Sequence, residues 1–357
     1  MNTLNLSKDS TLVGQKCVVT GASGVIGRAL IQALTLKGAS VIAVDRSFPR
    51  YRLENSVPFY QVDLLVPNND YSAILQGASA VFHLAARMPQ AKLTEAQFHQ
   101  ENVEVTETLV RQCIKHKVNK LVFASTIEVY GVQEIIEPLK EDDAKIFTGH
   151  YSKNKYETEQ DLLNLNNLGE IEIVALRMPM IFGPGFYHEK SMLALFYALK
   201  HNLPIPLPVA DAKVSFVSSK DVAEAMILAL LSDKANGESF NIAAADYPLM
   251  LEFFEDVKVA VGSKSKIFVL KRSLVEKAVS KAKNKAKSAN DKVPILGTPA
   301  ELVPFILTGG AYSIEKARNI LNFEPQLNCA ESFVSAYRWY FNLSLSERLN
   351  VMFLRHV

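Results

Sequence analysis

Short apolar, β-branched runs alternate with helix-length segments through the first half of this chain, and that alternation limits its fold more than any other feature. Lys16–Thr20 (KCVVT) ends at a glycine, and the stretch 25–37 then sets Ile26, Leu30, Ile31 and Leu34 along one helical side. Further strands are expected at 40–45 (SVIAVD), 57–62, 80–85, 120–125 (KLVFAS) and 171–177 (IEIVALR). A long helix is expected over 94–116, and another from Tyr151 onward. Each parallel crossover needs a connection of helix length, so the pattern predicts an α/β fold with a doubly wound parallel sheet.

Composition narrows the function classes. The 357 residues are 48% hydrophobic and 21% charged, enough for an extended core and unlike a disordered chain. A net charge of +2 makes no electrostatic case for nucleic acid. Cys17, Cys113 and Cys329 are odd in number and widely spaced, so no disulfide framework or zinc spacing can be built. A reducing, cytoplasmic setting is expected. The histidines form no ligand-spaced pattern, so no metal is expected. The opening MNTLNLSKDSTL lacks a charged segment followed by an apolar run, and no stretch approaches about 18 apolar residues. Neither a secretory signal nor a membrane span is expected.

Between the first strand and its helix stands Thr20-Gly21-Ala22-Ser23-Gly24-Val25-Ile26-Gly27. Gly21 permits a tight turn, Gly24 lets the backbone approach a pyrophosphate, and Gly27 lets the helix pack on the strand. The helix N-terminus offers free N–H groups to the phosphates. Gly21, Ser23, Gly24, Val25, Ile26 and Gly27 are thus candidate contacts to a dinucleotide in a Rossmann-type fold. Asp45, ending the second strand, can accept both ribose hydroxyls of NAD and repel the 2′-phosphate of NADP. The charge argument favours NAD, while Arg46 beside it leaves NADP open.

Tyr151 and Lys155 stand four apart at a helix start, hence on one helical face. A phenol of pKa about 10 exchanges protons poorly at neutral pH, but a neighbouring ammonium stabilises the phenolate. At about 4 Å and an effective dielectric of about 20, that attraction is worth about 4 kcal/mol, which brings the tyrosine toward neutrality. Ser125 and Thr126 end the fifth strand, where hydroxyls face the ligand crevice of such a sheet, and either can donate to a developing alkoxide.

In this order the residues resemble the extended short-chain dehydrogenase/reductases, which include NAD-dependent epimerases, dehydratases and 3β-hydroxysteroid-dehydrogenase-like reductases. The resemblance runs from Lys16 to Trp339 through TGASGVIG at 20–27, Asp63-Leu64, His83-Leu84-Ala85-Ala86, Asn102 and STIEVYG at 125–131. It continues through YSKNK at 151–155, LRMPMIFGPG at 176–185, FVSSKDVAEA at 216–225, FNIA at 240–243 and the segment opening at Ser313. The resemblance implies that Asp63 and Leu64 border the adenine and that Leu84, Ala85 and Ala86 line the cofactor groove, with Asn102 and Pro179 in the same set. It makes Tyr151 the acid–base and Lys155 the residue that tunes it and holds the nicotinamide ribose. Thr126 falls on the family's serine/threonine site, one place after Ser125, and His83 sits beneath the cofactor. Residues 12–178, with 213–242 returning to them, form the NAD-binding domain in this reading. Residues 179–212 and 243–345 bind a small-molecule substrate. A homodimer is implied, its four-helix bundle made from the helix at 94–116 and the helix carrying Tyr151.

Departures from the family pattern narrow the substrate. The aspartate that donates a proton in sugar-nucleotide dehydratases is replaced by Ile127, which has no proton to give. An asparagine that binds the sugar nucleotide in epimerases is replaced by Met180, and an arginine of theirs falls near Val214. With Met178, Ile181, Phe182 and Phe186 nearby, Met180 and Phe186 become candidate walls for a steroid-, lipid- or polyketide-like substrate, or plain core. The tail at 267–325 is similar to the helical end of 3β-hydroxysteroid-dehydrogenase-like proteins. Glu128 keeps redox-coupled decarboxylation of a sugar nucleotide open, and reads equally as a capping carboxylate. Arg87 reads as a substrate contact or a surface arginine. Between 271 and 292 eight basic residues face two acids at helical spacing, which suggests a solvated helix face or peripheral contact with an anionic membrane.

Overall fold

The computed structural model describes residues 11–48, 57–66, 70–88, 93–133, 137–186, 190–285, 292–293, 298–299 and 303–348. β1 (Lys16–Thr20) leads into α1 (Val25–Leu36), which buries Leu30, Ile31 and Leu34, and then into β2 (Ser40–Asp45). β3 (Phe59–Gln61), the single-turn α2 (Ser72–Leu75) and β4 (Ala80–His83) follow. The helix expected over 94–116 forms in three contiguous pieces. α3 (Glu95–His99) is capped by Thr94, a π-helical turn spans Gln100–Glu104, and α4 (Val105–Lys115) completes it. β5 (Lys120–Thr126) is buried throughout and passes into a 3₁₀ turn at Ile127–Tyr130. Next come α5 (His150–Asn167), β6 (Glu172–Met178), β7 (Met180–Phe182), α6 (Lys190–Lys200) and β8 (Ile205–Leu207). β9 (Phe216–Ser218), α7 (Ser219–Leu231), β10 (Glu238–Asn241) and α8 (Met250–Val261) lead into the tail.

That tail combines helices with short strands among its described residues. It holds α9 (Arg272–Lys285), α10 (Val303–Thr308) and α11 (Glu315–Leu321), but also β11 (Ile267–Val269), β12 (Lys292–Val293) and β13 (Thr298–Pro299). The Ile-Phe-Val run of β11 suits a strand and pairs in parallel with β8. The basic segment forms α9 as far as Lys285; residues 286–291 lie outside the described residues. α12 (Cys329–Asn342) follows, and a short helical turn at 345–348 ends the described residues.

The main sheet runs β10-β6-β5-β4-β1-β2-β3, and all its pairings are parallel. This is the doubly wound, Rossmann-type sheet that the alternation predicts, with β10 added beyond β6. The chain turns back at β1 between β2 and β4, so loops leaving their carboxyl ends diverge and open a crevice. One core face joins Val19, Leu30, Phe82, Val122 and Phe240. The other joins Val18, Ile42, Val81, Leu109 and Phe123. A separate aromatic cluster around Phe182, Phe196, Phe253 and Phe333 supports the second half, with Phe182 and Phe333 centroids 5.2 Å apart, edge to face. No helix among the described residues is long and apolar enough to cross a membrane. All three cysteines are buried and free, and burial pushes the Cys17 and Cys113 thiols up to about 12.

Candidate active site

Each glycine of the first loop meets a separate demand. Gly21 has φ +67°, and a Cβ there would lie 2.8 Å from Ala85 N and from Leu84 C. A Cβ on Gly27 would lie 2.5 Å from Gly21 O, because α1 packs directly on the turn. At Gly24 only Gly21 O comes near, at 3.2 Å, leaving its outer side open. Gly24 caps α1 without a side-chain bond, and the first turn carries no acid. The first turn of α1, Val25 and Ile26 among it, thus adds no acid of its own to repel an anion at the helix end. A dinucleotide pyrophosphate fits this cradle.

At the end of β2, Asp45 Oδ2 accepts from Ser23 N at 3.0 Å, and Oδ1 accepts from Ser47 N at 3.1 Å. The carboxylate is thereby fixed beside the glycine loop. Arg46 Nη1 stands 3.4 Å from Glu101 Oε2 on the π-helical turn. Asp63 is exposed and accepts from Leu65 N at 3.0 Å, while Leu64 is buried against the sheet.

At the end of β4, His83 lies between two threonines. Thr106 Oγ1 donates to Asn102 O at 2.7 Å, so it accepts from His83 Nε2 at 2.9 Å, which fixes the tautomer. His83 Nδ1 then accepts from Thr20 Oγ1 at 2.8 Å. Burial, with the charge of Lys155 adding to it, pushes the imidazole down to about 3, so it is neutral at physiological pH. Leu84, Ala85 and Ala86 are half-buried beyond it. The Asn102 amide grips the backbone of Arg87: Oδ1 accepts from Arg87 N at 2.7 Å, and Nδ2 donates to Arg87 O at 3.2 Å. Asn102 therefore shapes the loop after β4. Arg87 Nε donates to Glu101.

α5 lays Tyr151, Lys155 and Glu159 along its sheet-facing side, all buried. Lys155 Nζ donates to Ala124 O at 2.9 Å and lies 4.5 Å from the Phe123 ring centroid. Burial pushes the ammonium down to about 7, against the opposing pull of Glu159. The two strand-end hydroxyls diverge, since neighbouring strand residues face opposite sides. Ser125 Oγ donates to Glu159 Oε2 at 2.5 Å, which commits its proton to the interior. Thr126 Oγ1 accepts from Glu128 N at 3.2 Å, which leaves its own proton available. Of the sequence candidates, Tyr151 and Lys155 share a face of α5 with Thr126 at the adjoining strand end, and Ser125 turns away into the network below. Tyr151 Oη is 3.8 Å from Met88 Sδ, a neighbour with no signal in the amino-acid order.

Lys155 carries a pH signature. In the unfolded chain the amine titrates near 10.5, so between about 7 and 10.5 the unfolded state binds a proton that the folded state lacks. Stability therefore rises with pH across that window, and the penalty of burying the charge is fully felt below 7. Lys155→Met is expected to flatten this rise and to raise Tm by about 4 °C at pH 6.5, read from melting curves between pH 6 and 9.

Beneath these groups lies a buried polar network that sequence reading missed, although Glu159 continues the four-residue spacing of Tyr151 and Lys155. Glu159 accepts from Arg177 Nη2 at 2.6 Å and Nε at 3.1 Å, both side chains being almost wholly enclosed. Arg177 Nη1 donates to Tyr130 Oη at 2.8 Å, and Tyr130 Oη donates to Asn241 Oδ1 at 2.7 Å. The chain of bonds ties β5, β6 and β10 to α5.

The remaining candidates separate. Thr126 is in register with Met178, so Pro179 and Met180 follow directly at the crevice side of β6. Pro179 is buried and Met180 is 41% exposed. Phe186 is buried with its ring 4.9 Å from Phe182, packed as core. Glu128 is half-buried and acts on Tyr312, whose phenol is pushed up by burial and then by that carboxylate.

Comparison with known proteins agrees with this geometry. The NAD dependent epimerase/dehydratase family matches residues 17–243. Short-chain dehydrogenase/reductase family 42E member 1 of Xenopus laevis is 30% identical over 335 residues, 87% of this chain and 84% of that protein. A UDP-N-acetyl-alpha-D-glucosaminuronate decarboxylase of Bacillus cytotoxicus is 29% identical over 272 residues, 71% of this chain and 82% of that one. The solved structure of epimerase Mth375 from Methanothermobacter thermautotrophicus shares the fold with a TM-score of 0.74 at 22% identity, covering 92% of this chain and 93% of its own. With most of the chain inside these matches and a glycine cradle shaped for a dinucleotide, the protein belongs to the NAD dependent epimerase/dehydratase family of extended short-chain dehydrogenases/reductases.

Proposed function

We propose that this protein is an NAD-dependent oxidoreductase that interconverts a secondary alcohol and a ketone on a relatively apolar, steroid-, lipid- or polyketide-like substrate. The observation that carries the reading is the thioether of Met88 3.8 Å from Tyr151 Oη, with Met180 exposed at the neighbouring strand end. A charged sugar nucleotide finds little to bind in such side chains, whereas an alkyl skeleton does. Residues 179–212 and 243–345 form the substrate-binding part, and 12–178 with 213–242 the NAD-binding part.

Bound NAD supplies the hydride acceptor or donor. Tyr151 takes the hydroxyl proton in the oxidative direction and returns it in the reductive one. Thr126 donates its free hydroxyl proton to the substrate oxygen as negative charge gathers there. Lys155, with one hydrogen bond to Ala124 O, keeps its other N–H groups for a ribose hydroxyl and stabilises the phenolate when charged. His83 and Asn102 hold the floor and the loop beneath the dinucleotide.

The apolar groove between α4 and α5, about 260 Å³ and lined by Val103, Ile114, Leu162 and Leu165, supports the homodimer reading through these two helices. The rival reading is a sugar-nucleotide epimerase or decarboxylase, favoured by the relatives named above and by Glu128. A catalytically silent NAD-binding regulator is the third. Incubation with NAD and a panel of apolar secondary alcohols and UDP-sugars separates them. The expected result is net NADH formation, read at 340 nm, with the apolar alcohols alone. Epimerisation of a UDP-sugar without net NADH would overturn the proposal, and no turnover of any kind would point to the silent regulator.

A further inference from the structure

We propose that Glu101 is a specificity-determining residue that restricts the adenosine end of the cofactor site to NAD, by holding Arg46 away from the place where the 2′-phosphate of NADP would bind. The inference rests on the assignment of the glycine cradle and Asp45 to the dinucleotide.

Asp45 and Arg46 are consecutive at the carboxyl end of β2, so an arginine stands one residue from the carboxylate that faces the ribose. Left free, that guanidinium has the reach and the planar donor set to bind a phosphate ester. Here it is engaged. Arg46 Nη1 is 3.4 Å from Glu101 Oε2, and the same oxygen accepts from Arg87 Nε. The Glu101 side chain is 15% exposed, against 34% for Arg46 and 28% for Arg87, so the acid sits at the inner centre of the cluster.

The backbones around it are anchored independently. Gln61 Nε2 donates to Arg46 O at 3.1 Å, and Asn102, the residue after Glu101, grips both backbone polar groups of Arg87. The acid is therefore delivered by the π-helical turn to a point between the β2 and β4 ends, which flank β1 and its glycine loop. The charge count points the same way. Asp45 and Glu101 offset Arg46 and Arg87, so an incoming 2′-phosphate meets a cluster with no net positive charge. Removing the Glu101 charge leaves one arginine in excess and frees Arg46 to turn toward the ribose.

The test is calorimetric titration of the intact protein with NADH and NADPH. Wild-type protein is expected to bind NADH more tightly, and Arg46→Gln alone to leave the NADPH Kd within about twofold, because Arg46 is already held elsewhere. Glu101→Gln is expected to tighten NADPH binding by about tenfold or more with the NADH Kd within about threefold, and Glu101→Gln/Arg46→Gln to lose that gain. An unchanged NADPH-to-NADH ratio in Glu101→Gln overturns the proposal, as does a gain that survives in the double variant. Should Glu101→Gln not fold, a large loss of NADPH binding in Arg46→Gln alone overturns it from the other side. Failure of wild-type protein to bind either nucleotide would instead sink the assignment of the cradle itself, a separate outcome.

Discussion

Tyr151→Phe is expected to lower kcat by about two orders of magnitude or more while leaving the NADH Kd within about threefold. The change removes one hydroxyl from a side chain that is 6% exposed and deletes almost no volume, so α5 and its packing persist. Lys155 stays fixed between Ala124 O and the Phe123 ring, and the glycine cradle lies on other elements. What disappears is the hydroxyl beside Met88 that the proposed mechanism uses as its acid–base. Steady-state kinetics on the best alcohol from the panel, paired with calorimetry for NADH, reads both halves. Wild-type turnover in this variant would remove Tyr151 from the chemistry, and equal loss of cofactor binding would show a disturbed site in its place.

Arg177→Met is expected to destabilise the fold by about 3–5 kcal/mol, read as a lowered urea midpoint. The side chains of Arg177 and Glu159 are 3% and 0% exposed. Methionine fills much of the volume but takes away the guanidinium hydrogen bonds to the Glu159 carboxylate, which keeps the Ser125 hydroxyl as a donor. Tyr130 Oη and Glu141 O lose a donor as well. The paired change Arg177→Met/Glu159→Leu removes the stranded charge and is expected to recover more than half of the loss. A loss below about 1 kcal/mol in the single variant would mean that the carboxylate finds another partner or a proton. The network matters beyond stability, because Glu159 is the charge that opposes the burial penalty on Lys155.

Local signals made much of this readable in one dimension. The loop at 20–27 announces itself because its glycines answer steric demands set within a few residues, as the close approaches of a Cβ at Gly21 and Gly27 confirm. Strands at 16–20 and 40–45 are legible from their apolar runs, since a strand covered on both faces has no polar side to confuse the pattern. The four-residue step from Tyr151 to Lys155 is a property of any helix. By contrast, the π-helical turn at 100–104 has no such mark, and a period of 3.6 passes across it unchanged to the eye. The tail at 267–325 mixes helices with short strands, and of these β11 depends on a partner far away in the chain, β8, while β12 and β13 pair with each other.

Ser125 and Thr126 show where the boundary falls. Both are hydroxyls at one strand end, and nothing in their order says which proton is free. Glu159, thirty-four positions away, claims the first, and Glu128 N holds the oxygen of the second. Arg46 is the same case: its neighbour Asp45 makes it look like a phosphate ligand until Glu101, fifty-five positions on, occupies it. The amino-acid order alone determined the alternating sheet, the phosphate cradle and the tyrosine–lysine pair, because each follows from backbone sterics or from spacing within one element. Only the tertiary structure decided that Ser125 is bonded to Glu159, that Arg46 stands against Glu101 and that Met88 lies beside Tyr151, because a buried polar group takes the partner that folding brings to it, whatever its distance along the chain.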